Sequence, residues 1–77
     1  MRKYTQKALR ELVRIGAAEN ITNYGFEKMS DFLRSHSLDR VGYSSGVYGI
    51  NGGLLQDTKT GNLYAITARS SACFMAF

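Results

Sequence analysis

The side chains best suited to nucleophilic chemistry in this 77-residue sequence are its single histidine, His36, and its single cysteine, Cys73. A thiol nucleophile needs a base close to it and a third group that orients the base. No third residue stands at a spacing that would supply this group, so we predict no catalytic residue and no enzyme activity. We expect His36 to hydrogen-bond carbonyls at the end of a helix and Cys73 to act as a small buried hydrophobe. The sequence shows no spacing typical of metal ligands or cofactor motifs, and we predict neither.

A group of cations near the N-terminus is the pattern most typical of a binding surface. Four basic residues fall within about 60° of one another on a helix that advances about 100° per residue: Lys3, Lys7, Arg10 and Arg14. Cations on one ridge can follow a nucleic-acid backbone or an acidic partner surface. The solvent face of a small helix has the same composition, which is the simpler interpretation.

The glycines between residues 46 and 53 follow a G-x-x-G-x-x-G spacing, at Gly46, Gly49, Gly52 and Gly53. A phosphate loop would need Gly-Lys-Ser/Thr at the start of a helix, and a dinucleotide site would need a βαβ unit. The residues after Gly53 have the pattern of a strand instead. We therefore predict structural roles for these glycines, in turns, in a bulge or where another backbone approaches closely.

Three tyrosines fall on the predicted strands, namely Tyr43, Tyr48 and Tyr64. Two of them on one solvent face would form a stacking platform for unpaired bases. Each also fits an ordinary strand position, with the ring buried and the hydroxyl at the rim of the sheet, and we favour that interpretation.

The first predicted helix covers residues 6–15. Thr5 is the expected N-cap, and Gly16 is the expected C′ residue that ends the helix. The apolar residues of this segment share one broad arc that includes Leu9 and Ile15, opposite the cations. The basic residues are therefore expected to point away from the core.

The second predicted helix runs to about Ser35, after a turn over residues 17–25. Thr22 and Asn23 are the candidate N-caps, and Asp31 and Arg34 are expected to pair across one turn.

Two helices joined by a turn are also found in helix-turn-helix DNA readers. Here the second helix presents Glu27 and Asp31 outward, and DNA phosphates would repel both. We therefore do not favour that function.

The segment after residue 41 is expected to form the sheet, with strands over residues 41–44, 48–56, 62–68 and 72–77 and a break near Asn51. Residues 57–61 read as a short hairpin loop in which Gly61 adopts the left-handed conformation. Residues 62–68 alternate two faces that are both mostly apolar, which is typical of a central strand.

The sequence thus predicts one small α+β domain over residues 1–77, with a helical part over about 5–36 and a sheet part over about 41–77. We expect two N-terminal helices packed on one face of an antiparallel sheet of three to four strands. Charged residues concentrate in the first 40 positions, whereas only Asp57, Lys59 and Arg69 follow Val41, which fits polar helices laid over an uncharged sheet.

The chain ends on an apolar run whose largest side chains are Phe74, Met75 and Phe77. A free edge of this composition would be prone to aggregation, so we expect it to pair as a strand in the sheet, with its phenylalanines packed either under the helices of the same chain or against a second subunit as an oligomer contact. The leading functional prediction is a small non-enzymatic binding module that acts through protein contact, with itself as a homodimer or with another protein. The alternative is nucleic-acid binding by the basic face of the first helix. No run approaches the roughly 18 apolar residues of a membrane helix and no signal-peptide core is present, so we expect a cytoplasmic protein without membrane contact.

Overall fold

The computed structural model describes residues 2–46 and 49–68, which hold two helices and five strands. In chain order the elements are β1 (Arg2–Lys3), α1 (Gln6–Arg14), β2 (Ala18–Asn20), α2 (Phe26–Ser35), β3 (Leu38–Gly46), β4 (Gly49–Asp57) and β5 (Leu63–Ile66). The predicted α+β class is confirmed. The strand predicted over residues 72–77 lies outside the described residues.

The five strands form one mixed sheet in the order β1-β3-β4-β5-β2. The three central strands are antiparallel neighbours, whereas β1 pairs in parallel with β3 and β2 pairs in parallel with β5. The prediction of three to four antiparallel strands therefore missed both edge strands. They contain two and three residues, which is too short for an alternating pattern to show in the sequence.

The two helices lie on opposite faces of the sheet. In β4, the neighbouring residues Leu54 and Leu55 point to opposite faces, because successive side chains of a strand alternate. Leu9 of α1 packs in a cluster with Leu54, and Met29 of α2 packs in a second cluster with Leu55. The prediction that both helices share one face is therefore wrong. Since the central strands are apolar on both faces, each face needs its own helix.

The predicted ends of α1 are confirmed. The Ala8 N–H donates to the Thr5 hydroxyl over 3.0 Å, and Gly16 takes a φ of +79° after the last turn. Ile15 is the C-cap residue and is 58% exposed, whereas the sequence placed it in the apolar arc.

The predicted caps of α2 are wrong. Its N-cap is Gly25, which has no side chain to accept a hydrogen bond. Thr22 is buried and links the end of β2 to the residue after β5 instead. Its hydroxyl accepts the Thr67 N–H over 2.8 Å and donates to the side chain of Asn20, the last residue of β2. The end of α2 at Ser35 matches the prediction.

The predicted hairpin between β4 and β5 is confirmed. The Asp57 N–H donates to the Asn62 carbonyl over 2.9 Å, and the Gly61 N–H donates to the Asp57 carbonyl over 2.8 Å. Gly61 has a φ of +79°, as expected from its place in the loop.

The long pair of β3 and β4 contains two register shifts, one between Arg40 and Gly42 and one between Ser44 and Ser45. At the second shift, Asn51 is the extra residue of β4, so the break predicted near it takes the form of a bulge. The next residue, Gly52, faces the backbone of β5: a Cβ atom there would stand 1.9 Å from the Ile66 carbonyl oxygen. This contact is the close backbone approach predicted for one of the glycines.

Candidate functional site

The predicted basic face is divided between two elements. Lys7, Arg10 and Arg14 are exposed on α1, but Lys3 belongs to β1. Arg14 forms an ion pair with Glu11, and each of these two side chains shifts the pKa of the other, lowering that of Glu11 and raising that of Arg14. The helix therefore presents two cations, Lys7 and Arg10, that form no ion pair within the described residues.

The two edges of the sheet differ in charge. The edge strand β1 consists of Arg2 and Lys3, which are both exposed, whereas β2 carries Glu19 as its charged residue. Within residues 2–46 and 49–68, no strand pairs with the outer side of either. An unpaired strand edge offers backbone N–H and C=O groups to another chain. The position of Glu19 at a sheet edge was not predicted from the sequence, because a three-residue strand is too short to show an alternating pattern.

Two large apolar side chains precede and follow β2 in the chain. Ile15 lies three residues before Ala18 and is 58% exposed, and Phe26 starts α2 and is 62% exposed. Exposed side chains of this size are frequent at protein contacts, although single ones also occur on ordinary surfaces.

A cleft of 310 Å³ opens where the turn between α1 and β2 meets the turn between β4 and β5, and it is lined by residues 16–19 and 61–64. Glu19 is the charged residue of this lining. The C-terminal end of α1 lies at the same place, and the carbonyl end of a helix carries partial negative charge. The cleft therefore favours a cationic group over an anionic one.

His36 occupies the predicted position at the end of α2. Its Nδ1 lies 2.9 Å from the Phe32 carbonyl oxygen, and its ring centroid lies 4.3 Å from that of Phe32 and 5.8 Å from that of Tyr64. The His36 ring therefore caps the C-terminal end of α2 and packs against the rings of Phe32 and Tyr64. Cys73, the thiol that a catalytic role would require, lies outside the described residues.

The tyrosine platform is not assembled from the described residues. Tyr64 is buried in the cluster under α2, and Tyr43 is half-buried. Tyr48 lies outside the described residues. Tyr24, which the sequence did not single out, also joins the cluster, where burial raises its pKa and the nearby Glu19 charge adds to this effect.

Asp57 organises the loop between β4 and β5. Its carboxylate accepts the N–H groups of Lys59 and Thr60, over 2.8 and 3.2 Å. The hydrogen bond from Lys59 is the main cause that lowers the pKa of Asp57, and the one from Thr60 adds to it. These contacts assign Asp57 to the turn.

We expect Asp57 to make stability depend on pH in acid. Because its pKa is lower in the folded chain than the usual value of about 3.9, its contribution is complete above that value and is lost as the pH falls through the folded pKa. Urea unfolding between about pH 2 and 7 should show a shallower acid slope for Asp57→Asn than for the native chain. As a control, Asp31→Asn, which alters an exposed pair, should keep the native slope. Equal slopes for all three proteins would contradict the assignment.

The sequence matches no known family model and no curated protein, and the fold matches no solved structure. Within the described part of the chain, no three His, Cys, Asp or Glu side chains stand together as metal ligands. Neither described helix is long and apolar enough to cross a bilayer. The predicted oligomer residues Phe74, Met75 and Phe77 lie outside the described residues, and their role stays a prediction.

Proposed function

We propose that this chain is a small non-enzymatic binding module that acts through protein contact and associates with itself. The proposal is based on the outer edge of β2, with which no described strand pairs. Two exposed apolar side chains flank this strand in the chain, Ile15 before it and Phe26 after it. An added strand would pair its backbone with that edge, and the two apolar side chains would supply contact area.

The two described side chains best suited to catalysis, His36 and Asp57, have structural roles, and this supports a non-enzymatic function. His36 closes α2 and Asp57 holds the hairpin loop. The Nδ1 of His36 also lies 2.9 Å from the Ser35 hydroxyl, but that hydroxyl donates to the Phe32 carbonyl over 3.1 Å, so this pair belongs to the end of α2. The carboxylate of Asp57 accepts backbone N–H groups of its own loop. Protein contact is therefore the function that the geometry supports best.

We predict that Ile15→Ser combined with Phe26→Ser weakens self-association at least about tenfold, because each 100 Å² of apolar area that an interface buries contributes about 2.5 kcal/mol before association costs. Sedimentation velocity from about 10 to several hundred micromolar measures the effect. Stability should change by less than about 0.5 kcal/mol, since both positions are exposed.

The experiment includes one control variant and one further test. Leu33→Ser removes a half-buried side chain of α2 and should lower stability. Deleting residues 74–77 tests the second proposed contact, made by Phe74, Met75 and Phe77. A native chain that stays monomeric throughout this range would overturn the proposal of self-association.

Nucleic-acid binding by α1 is a second candidate function, and the exposed positions of Lys7 and Arg10 favour it. Both cations lie on the side of α1 away from Leu9, which is fully buried against the sheet. They are therefore open to a phosphate backbone.

We predict that any such binding is electrostatic and carried by Lys7, Arg10 and Arg14. With up to three phosphate contacts, the logarithm of the affinity should fall with the logarithm of the salt concentration with a slope of about −2 to −3. Fluorescence anisotropy with single-stranded and duplex oligonucleotides measures this slope. Replacing all three residues with Glu should abolish binding, while Lys59→Glu, in the opposite half of the chain, should leave it intact. Absence of binding at low salt would exclude this function.

A further inference from the structure

The opposite charges of β1 and β2 stand on the same face of the sheet. Lys3 is the register partner of Tyr43, Tyr43 is the partner of Gly53, and Gly53 is the partner of Ile66. Register partners share a face, and Ile66 belongs to the cluster under α2. Lys3 therefore lies on the α2 face.

Glu19 lies on that face as well. Its register partner is Tyr64, which packs in the same cluster under α2. Both Lys3 and Glu19 are exposed. The sheet thus carries a cation at one edge and a carboxylate at the other, in equivalent orientations.

The directions of the edge strands also match. β1 runs parallel to β3, β2 runs parallel to β5, and β3 and β5 are both antiparallel to β4, so that β1 and β2 point the same way. A second copy placed beside the first, in the same orientation, would add its β1 to β2 as a parallel strand. The α1 and α2 faces of the two sheets would then be continuous.

The three ways of pairing two sheet edges differ in electrostatics. A two-fold pair of β2 strands brings the two Glu19 carboxylates together, and a two-fold pair of β1 strands brings the two Lys3 ammonium groups together. Like charges opposite each other destabilise a strand pair, whereas opposite charges stabilise it. Only the pairing of β1 with β2 sets Lys3 beside Glu19.

We propose that this protein associates head to tail, with β1 of one copy added in parallel to β2 of the next and Lys3 beside Glu19. The inference rests on the proposed function, and it identifies the partner as a second copy. The cleft beside Glu19 supports it, because that cleft favours a cationic group. Such a contact joins two different surfaces, so the assembly stays open at both ends and grows beyond a dimer.

Charge reversal at the two edges tests this arrangement. Glu19→Lys gives a chain in which both edges carry a cation on the α2 face, and Lys3→Glu gives a chain in which both edges carry a carboxylate on that face. Arg2 of β1 stays on the opposite face in both variants. In sedimentation velocity, each variant alone should associate about tenfold more weakly than the native chain. An equimolar mixture of the two should recover native association, because every junction then joins opposite charges.

The double variant Lys3→Glu/Glu19→Lys is the matched control. It exchanges the charges of positions 3 and 19 within one chain, so each junction still joins opposite charges and the variant should associate like the native protein. Circular dichroism confirms that each variant is folded. If the native chain associates but the reversals and the mixture have no effect, the head-to-tail arrangement is wrong while self-association stands. If the largest species detected contained only two copies, the head-to-tail arrangement would also be wrong. A native chain that remains monomeric would refute both this inference and the proposed self-association.

Discussion

Replacing Gly52 with alanine is expected to destabilise the protein by about 3 kcal/mol. The new Cβ atom would stand 1.9 Å from the carbonyl oxygen of Ile66 and 2.9 Å from its carbon. Both are backbone atoms of the neighbouring strand, so that no side chain can turn away to relieve the clash. The strands β4 and β5 would have to separate where Gly53 pairs with Ile66.

Urea unfolding measures this loss, which would remove a large part of the roughly 4 to 12 kcal/mol expected for a domain of this size. Gly25→Ala is the matched control, because a Cβ atom there has no other atom within 4 Å. It should cost about 0.5 kcal/mol, as an alanine at an N-cap does. A Gly52→Ala protein as stable as the control would contradict the close approach of the two strands.

Truncating a buried side chain of either helix should lower the free energy of unfolding by a similar amount. Leu9 of α1 and Met29 of α2 are both fully buried. We expect Leu9→Ala and Met29→Ala each to destabilise the protein by about 2 to 5 kcal/mol, through lost apolar burial and the cavity left behind. Both helices are needed, because each covers one face of the same sheet.

Each of these variants has a control on its own helix. The controls are Ile15→Ala and Phe26→Ala. Ile15 follows the last turn of α1, Phe26 is the first residue of α2, and both side chains are more than half exposed. These controls should change stability by less than about 0.5 kcal/mol. If Met29→Ala behaved like Phe26→Ala, α2 would not cover the second face of the sheet.

Features that depend on neighbours in the chain were determined by the sequence. The cap made by Thr5, the end of α1 at Gly16 and the left-handed Gly61 each follow from the conformational preference of one residue and its near neighbours. The antiparallel hairpin of β4 and β5 follows in the same way, because a short loop leaves few other arrangements. The position of His36 at the end of α2 is likewise local, since its ring reaches a carbonyl one turn earlier.

The layer arrangement and the sheet edges were decided by tertiary structure alone. Both helices are amphipathic, and an apolar stripe does not indicate which face of a sheet it will cover; the apolar side chains on both faces of β4 and β5 decide it. The strands β1 and β2 exist because β3 and β5 supply backbone partners from distant parts of the chain. Two or three residues carry no alternating pattern of their own. For the same reason the sequence placed Lys3 on a helix, whereas pairing with β3 sets it at the edge of the sheet.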